Sequence, residues 1–225
     1  MQKLVPDTSY HIFNHANGFE NVFLHEANYY YFLEKYQLYI NPIAETYAYC
    51  LMPNHFHVIV RIRKRLFIEE LIRIKENQLE NILSDNTFSK VPNFGKGLIN
   101  ISDSEILKYI SKQFANLFSC YTQSFNKVYQ RRGSLFIKNF KRQPITDKEY
   151  FLNSVIYVHR NPLHHGFCND YNSWPYSSYR DVFEGEHRFT EIGKLLQLFG
   201  GQENYIGRHQ TSLEKLEQIN DFDSI

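Results

Sequence analysis

Tyr47-Ala48-Tyr49-Cys50-Leu51-Met52-Pro53-Asn54-His55-Phe56-His57-Val58-Ile59-Val60 decides how the rest of the chain is read. Two β-like runs, Glu45 to Leu51 and His55 to Ile62, flank Met52-Pro53-Asn54, which reads as the turn of an antiparallel hairpin. The second run opens on His55-Phe56-His57. Residues two apart in a strand project from one face, so both imidazoles aim at one point while Phe56 turns to the other side. A sheet can present a metal in this way, although a bare His-x-His also reads as two polar side chains on the exposed face of a half-buried strand.

Working outward, Tyr10-His11-Ile12-Phe13 is apolar and β-leaning, and after Asn17-Gly18 a helical pattern runs from Glu26 to Tyr39 until Asn41-Pro42 stops it. Ile68, Leu71, Ile72, Leu79, Ile82 and Leu83 give helical spacing over 68–83, followed by a stretch rich in Asn, Ser, Gly and Pro, so 64–103 reads as an insertion. Ile106, Ile110, Phe114, Leu117, Tyr121, Phe125 and Val128 then mark a long amphipathic helix that packs on the sheet. Gly133 to Phe140 reads as a further strand, Thr146-Asp147 as a helix N-cap, and Lys148 to Arg160 as a helix running into Asn161-Pro162, where the proline should end or bend it. The order β-α-β-β-α-β-α predicts an α+β fold: a ferredoxin-like, split βαβ antiparallel sheet with helices on one face. The chain is expected to form one domain over 1–225, with a core of about 8–183, the helical insertion and a C-terminal extension from about 184. Its last 16 residues carry four acids against one Lys.

Over 225 residues the formal net charge is only +1, which excludes a globally basic protein and requires any polyanion site to come from local clustering. Such a cluster lies between 127 and 142, where Lys127, Arg131, Arg132, Lys138, Lys141 and Arg142 have no acid among them and are interleaved with Tyr129, Phe136 and Phe140. Cations grip phosphates and exposed rings stack on unpaired bases. The alternation turns Phe136 and Phe140 to the core, so the cations are the stronger candidates, and a solvated strand edge is the plainer alternative. Three cysteines without CxxC spacing suit neither a disulfide framework nor a thiolate zinc site. With no apolar run long enough to cross a bilayer, a cytoplasmic protein with no membrane partner is expected.

On the Lys148–Arg160 helix, Tyr150, Asn153, Tyr157 and Asn161 fall at spacings of three or four and share a stripe, while Leu152, Val155, Ile156 and His159 belong to the opposite side. His159 therefore reads as a packed histidine.

At these residues the sequence resembles the Y1 transposases of the IS200/IS605 type, within the HUH superfamily, and most of all their REP-associated tyrosine transposase branch. The resemblance rests on His55-Phe56-His57 after Met52-Pro53-Asn54, on Tyr157-Val158-His159-Arg160-Asn161-Pro162, and on Trp174-Pro175-Tyr176-Ser177-Ser178-Tyr179. Many relatives carry Asn-Arg-Gly where this chain has Asn14-His15-Ala16-Asn17-Gly18.

The resemblance implies a transposase that acts as a metal-dependent endonuclease and strand transferase on single-stranded DNA with hairpin structure. Tyr157 is then the nucleophile, forming a 5′-phosphotyrosine link, and Mg²⁺ or Mn²⁺ is held by His55, His57 and Asn161. Lys127, Arg131, Arg132, Lys138, Lys141 and Arg142 are the DNA-binding candidates, the assembly a monomer or homodimer, and the setting cytoplasmic and nucleoid-associated. A hairpin-binding protein that no longer turns over, or an HUH relaxase or replication-initiator-like nickase, are the competing expectations.

Overall fold

The computed structural model describes residues 2–85, 100–184 and 189–211, with side chains 78–85 left out. Within these, the order is β1 (Ser9–His15), α1 (Glu26–Tyr39), β2 (Ala44–Met52), β3 (His55–Ile62), α2 (Arg65–Asp85), α3 (Asp103–Val128), β4 (Lys141–Ile145), α4 (Lys148–His164), α5 (Asp181–Glu184), α6 (Ile192–Phe199) and α7 (Gln202–Gln210). The strands form one antiparallel sheet in the order β2-β3-β1-β4. This is the mixed α+β layout expected from the sequence. Part of the 64–103 segment and the acidic tail lie outside the described residues.

Met52 pairs with His55, so Pro53-Asn54 is a two-residue turn, and the hairpin register sets Cys50 opposite His57 and Ala48 opposite Ile59. An irregularity between Thr46 and Ala48 inserts Tyr47, which is buried on the same face as Ala48. β1 pairs with β3 so that Phe13 faces His57 and His15 faces His55. Alternation then sorts the sheet into two faces: Ile12, Phe56, Val58, Val60 and Ile62 on one, and His11, Phe13, His55, His57 and Ile59 on the other.

α1 and α3 cover the first face. Phe32 of α1 and Tyr121 of α3 meet edge to face at 5.3 Å, and Phe56 of β3 lies 5.2 Å from Phe32. Ser102 and Glu105 form a reciprocal capping box at the start of α3, with Glu105 N donating to Ser102 Oγ and Ser102 N donating to Glu105 Oε2.

Helices cover the second face as well, which corrects the expectation of helices on one side only. α4 lies on it through Leu152, Val155, Ile156 and Tyr157, in one cluster with Ala48, Cys50, Met52 and Ile59 of the sheet. α6 and α7 add Leu195, Phe199 and Tyr205 to this cluster. From Phe151 to Pro162 α4 is consequently buried nearly all round: of the polar stripe read from its sequence, Tyr157 and Asn161 are buried, while Tyr150 and Asn153 stay half-buried. The reason lies in the strands: β2 and most of β3 are buried on both faces, a pattern of continuous apolar runs that calls for cover on each side.

The predicted strand over Gly133 to Phe140 is a second correction. These residues form an irregular arm with a single bridge from Phe136 to Ala16, and the edge strand is Lys141–Ile145. Gly133 at φ 90° and Asn139 at φ 70° turn the backbone out of the extended region. Phe136 and Phe140 are buried as anticipated, packing on Phe118 of α3 at 5.3 Å each. Pro144 sits in β4, where an edge position tolerates its missing N–H.

Beyond α4, the Trp174–Tyr179 segment straps the outer edge of β2. Leu51 N donates to Tyr176 O at 2.9 Å, Tyr49 N to Ser178 Oγ at 2.8 Å, and Trp174 Nε1 to Leu51 O at 2.9 Å. No helix among the described residues is long and apolar enough to cross a membrane.

Candidate active site

The histidine-bearing face of β1 and β3 gathers His11, His15, His55 and His57. His55 and His57 lie with ring centroids 5.2 Å apart and planes at 85°, so the two imidazoles approach one region edge to face. His15, directly opposite His55, stacks on it at 4.5 Å.

The hydrogen bonds of these rings decide what their other nitrogens can do. His55 Nδ1 is 2.7 Å from Asn54 Oδ1, and because an amide oxygen only accepts, Nδ1 carries the proton and donates. His55 Nε2 is thereby a lone-pair acceptor, buried and without a hydrogen-bond partner. His57 Nδ1 lies 2.8 Å from His11 Nε2. Burial pushes His55 and His11 down to about 3 and His57 well below its ordinary value, so all three rings are neutral near neutral pH. A neutral imidazole is the form that can ligate a metal.

α4 brings the predicted nucleophile to this face within the same chain. The Tyr157 ring stands edge-on to His57 and to His11, 5.7 Å from each, and is 6 % exposed. Eight residues further along, the His165 ring lies 5.2 Å from His55. Asn161 is one helical turn from each of them and falls between.

The helix does not end at Asn161: it continues through Pro162 to His164, which corrects the expected stop. Pro162 cannot donate to the Val158 carbonyl, but His165 N bonds to Asn161 O at 3.0 Å and Phe167 N to Pro162 O at 2.8 Å, so the last turn closes regardless. Asn161 Nδ2 donates to Tyr157 O at 2.9 Å, which fixes the amide orientation and leaves Oδ1 buried and without a hydrogen-bond partner.

Among the described residues no three His, Cys, Asp or Glu side chains are grouped to hold a metal. Asn161 Oδ1 and His55 Nε2 are two buried acceptors that lack a donor. Buried polar atoms are nearly always satisfied, and a pair of orphaned acceptors fits a cation. Their nitrogen and oxygen chemistry, with no thiolate, suits a hard or borderline divalent ion.

His159 points away from this region, as its helical position implied. It is buried, with Nε2 2.8 Å from Ser178 Oγ and Nδ1 3.0 Å from His209 Nε2 of α7.

The six predicted cations do not form one strip. Arg131 is held by Glu20, Asn126 Oδ1 and the carbonyl of Ser134, and so braces the arm after α3. Arg142 is half-buried and lies over the Phe140 ring at 4.1 Å; desolvation lowers its pKa from the usual guanidinium value. Lys127, Arg132, Lys138 and Lys141 are exposed. Lys138, Lys141 and Arg142 line a cleft of about 470 Å³ together with Asn14 and His15. A second cleft of about 670 Å³, between α3 and the arm, shares Asn14, Lys138 and Arg142 with the first, so the two run together around the β4 edge toward His15.

His11, His15, Asn54 and His165 were missed by motif reading. His11-Ile12-Phe13-Asn14-His15 has the same period-two alternation as the His55 pair, and this was the available signal for two of them. Asn54 and His165 became visible only through the turn and the helix length.

No protein-family model matches the chain. In sequence it is 26 % identical, over 141 residues, to a Haemophilus influenzae protein named "Putative REP-associated tyrosine transposase". That match covers 61 % of this chain and 61 % of the relative, so the chain spans less than two thirds of the relative's length. A solved structure of a REP-associated tyrosine transposase bound to a REP hairpin aligns with a TM-score of 0.49 and 15 % identity, over 87 % of this chain and 91 % of the other. By sequence, the chain is thus related to a protein named as a tyrosine transposase of the REP-associated kind.

Proposed function

We propose that this chain is a tyrosine transposase that cuts and rejoins single-stranded DNA beside a hairpin, with Tyr157 as nucleophile. The observation that carries the reading is the meeting of the Tyr157 ring with His57, in one chain, next to the donor-less acceptors His55 Nε2 and Asn161 Oδ1. Motifs about 100 residues apart in sequence converge there, and the named relative points to the same chemistry.

In this reading His55, His57 and Asn161 would hold Mg²⁺ or Mn²⁺, which supplies polarisation of the scissile phosphate and neutralises developing charge. Tyr157 contributes the bond-making step. Its Oη bonds to phosphorus as the bond from phosphorus to the 3′ oxygen breaks; the phenol gives up its proton, and the leaving oxygen takes one up as a free 3′-hydroxyl. The 5′-phosphotyrosine link retains the phosphodiester energy, so rejoining needs no ATP, and the chain has neither a G-x-x-x-x-G-K-[ST] nor a G-x-G-x-x-G motif. Lys138, Lys141 and Arg142 would guide the strand along the cleft toward His15, with Lys127 and Arg132 as outlying phosphate contacts; Arg131 acts through the fold.

A hairpin-flanked oligonucleotide incubated with protein and Mn²⁺ tests the proposal. A covalent adduct stable in denaturing gels is expected from the native protein and none from Tyr157→Phe. The low exposure of Tyr157 favours one alternative, a hairpin-binding protein without turnover. Tight hairpin binding in chelator with no adduct in any divalent metal would select it.

A further inference from the structure

The two candidate metal-ligating histidines are oriented by unlike partners. The Asn54 oxygen can only accept, so the His55 tautomer is settled within its own turn. His57 Nδ1 faces another imidazole, and a hydrogen bond between two imidazole nitrogens can run either way. In one arrangement His57 Nδ1 donates to a lone pair on His11 Nε2, and His57 Nε2 keeps its own lone pair. In the other His11 donates, His57 Nε2 carries the proton, and no ligand is left at that position.

We infer that His11 is a positioning residue for His57: its Nε2 accepts the His57 Nδ1 proton and so commits His57 Nε2 to ligand duty. The inference rests on the reading of His57 as a metal ligand. His11 is built into the sheet for this task. It sits on β1 two residues before Phe13, the direct partner of His57, which makes it a diagonal neighbour of His57 on the same face. Its ring is 1 % exposed, stacks on His57 at 5.0 Å and 25°, and meets Tyr157 edge-on at 5.7 Å. One buried side chain therefore touches both the candidate ligand and the candidate nucleophile. Outer partners of this type fix ring orientation and tautomer, and their loss typically weakens metal affinity by about 10–100-fold.

The test uses the full chain without DNA. Long-range ¹H–¹⁵N correlation on histidine-labelled protein in chelator reads the His57 tautomer directly, and the Nδ1–H form is expected. Mn²⁺ affinity is then measured for native protein, His11→Gln and His11→Phe. Glutamine keeps an acceptor near the Nε2 position and should stay within a few-fold of native; phenylalanine keeps the ring but no acceptor and should lose on the order of 10–100-fold. Hairpin binding in chelator reports whether the fold persists.

An Nε2–H tautomer in the native protein, or equal Mn²⁺ affinity in native protein and the Phe variant, overturns the role of His11 while leaving the nuclease reading standing. Native protein that binds no Mn²⁺ overturns the metal reading and this role with it. Should His11→Phe fail to fold, the native tautomer and the Gln variant decide: a Gln variant that folds but loses as much as 10–100-fold contradicts the acceptor role.

Discussion

Tyr157 and His57 stand edge to face, with ring centroids 5.7 Å apart and planes at 88°, the one supplied by α4 and the other by β3 of the same chain. The relationship is intramolecular, so a single copy carries both groups. Tyr157→Phe keeps the ring contact and removes the hydroxyl alone. Adduct formation should vanish, hairpin affinity should stay within about twofold, and stability should change by no more than about 1 kcal/mol, the usual net worth of one hydrogen bond. Gel analysis of the adduct and urea denaturation check the two halves.

Asn161→Leu replaces an amide whose oxygen is buried without a donor. Removing the unpaired acceptor relieves a desolvation penalty while losing the Nδ2 bond to Tyr157 O costs about 1 kcal/mol, so the melting temperature in chelator should move little. The upward shift that Mn²⁺ gives the native protein by mass action should be lost. Thermal scans with and without Mn²⁺ separate these effects, and a variant that keeps the Mn²⁺ shift argues against Asn161 as a ligand.

Acid should unfold the protein early. His11 and His55 are held down to about 3 and His209 to about 4 by burial, while the unfolded side chains titrate near 6.5. From pH 6.5 down to about 3 the unfolded chain binds more protons, so stability falls as pH falls. Each such group contributes up to about 1.4 kcal/mol per pH unit in that window. Urea unfolding at pH 7, 6 and 5 should show a progressive loss greater than one histidine accounts for; a flat profile would show that these rings are accessible to protons in the folded state.

Tyr205 of α7 is fully buried and packs at 5.5 Å on Tyr179 and 5.0 Å on Phe199. Tyr205→Ala should cost about 3–5 kcal/mol through the cavity left behind. Because α7 covers the outer side of α4, adduct formation should fall as well, measured at a temperature where the variant is still folded.

Lys141→Ala and Arg131→Ala should fail differently. Lys141 is exposed in the cleft, so its loss should leave stability within about 0.5 kcal/mol and reduce the slope of log affinity against log salt by about 1. Arg131 braces Glu20 and Ser134, so its loss should lower the melting temperature first. Equal salt slopes for native protein and Lys141→Ala would remove Lys141 from the phosphate path.

Much of this architecture is legible in residue order because its signals are local. α1 runs from Glu26 to Tyr39 as its spacing and the Asn41-Pro42 stop require, and the hairpin register follows from a two-residue turn. The strand expected after α3 is misplaced because Leu135-Phe136-Ile137 is a β-leaning apolar run while two positive-φ residues, Gly133 and Asn139, bend the backbone on either side of it. The second helical layer was missed because its contacts are distant in sequence: Tyr205 packs near His159, 46 residues earlier. In the candidate site, His55, His57, Tyr157 and Asn161 share short motifs, whereas His11 gains meaning only from the β1 and β3 register.

The borders of the sheet limit how strands so rich in β-branched and aromatic residues can pair with another molecule. On one flank the strap from Trp174 to Tyr179 consumes backbone groups of β2 that would otherwise template another molecule's strand. On the opposite flank, β4 is five residues long and includes Pro144. Lateral growth by strand addition is hindered at both ends, which leaves the helical layers as the surfaces on which two copies could meet.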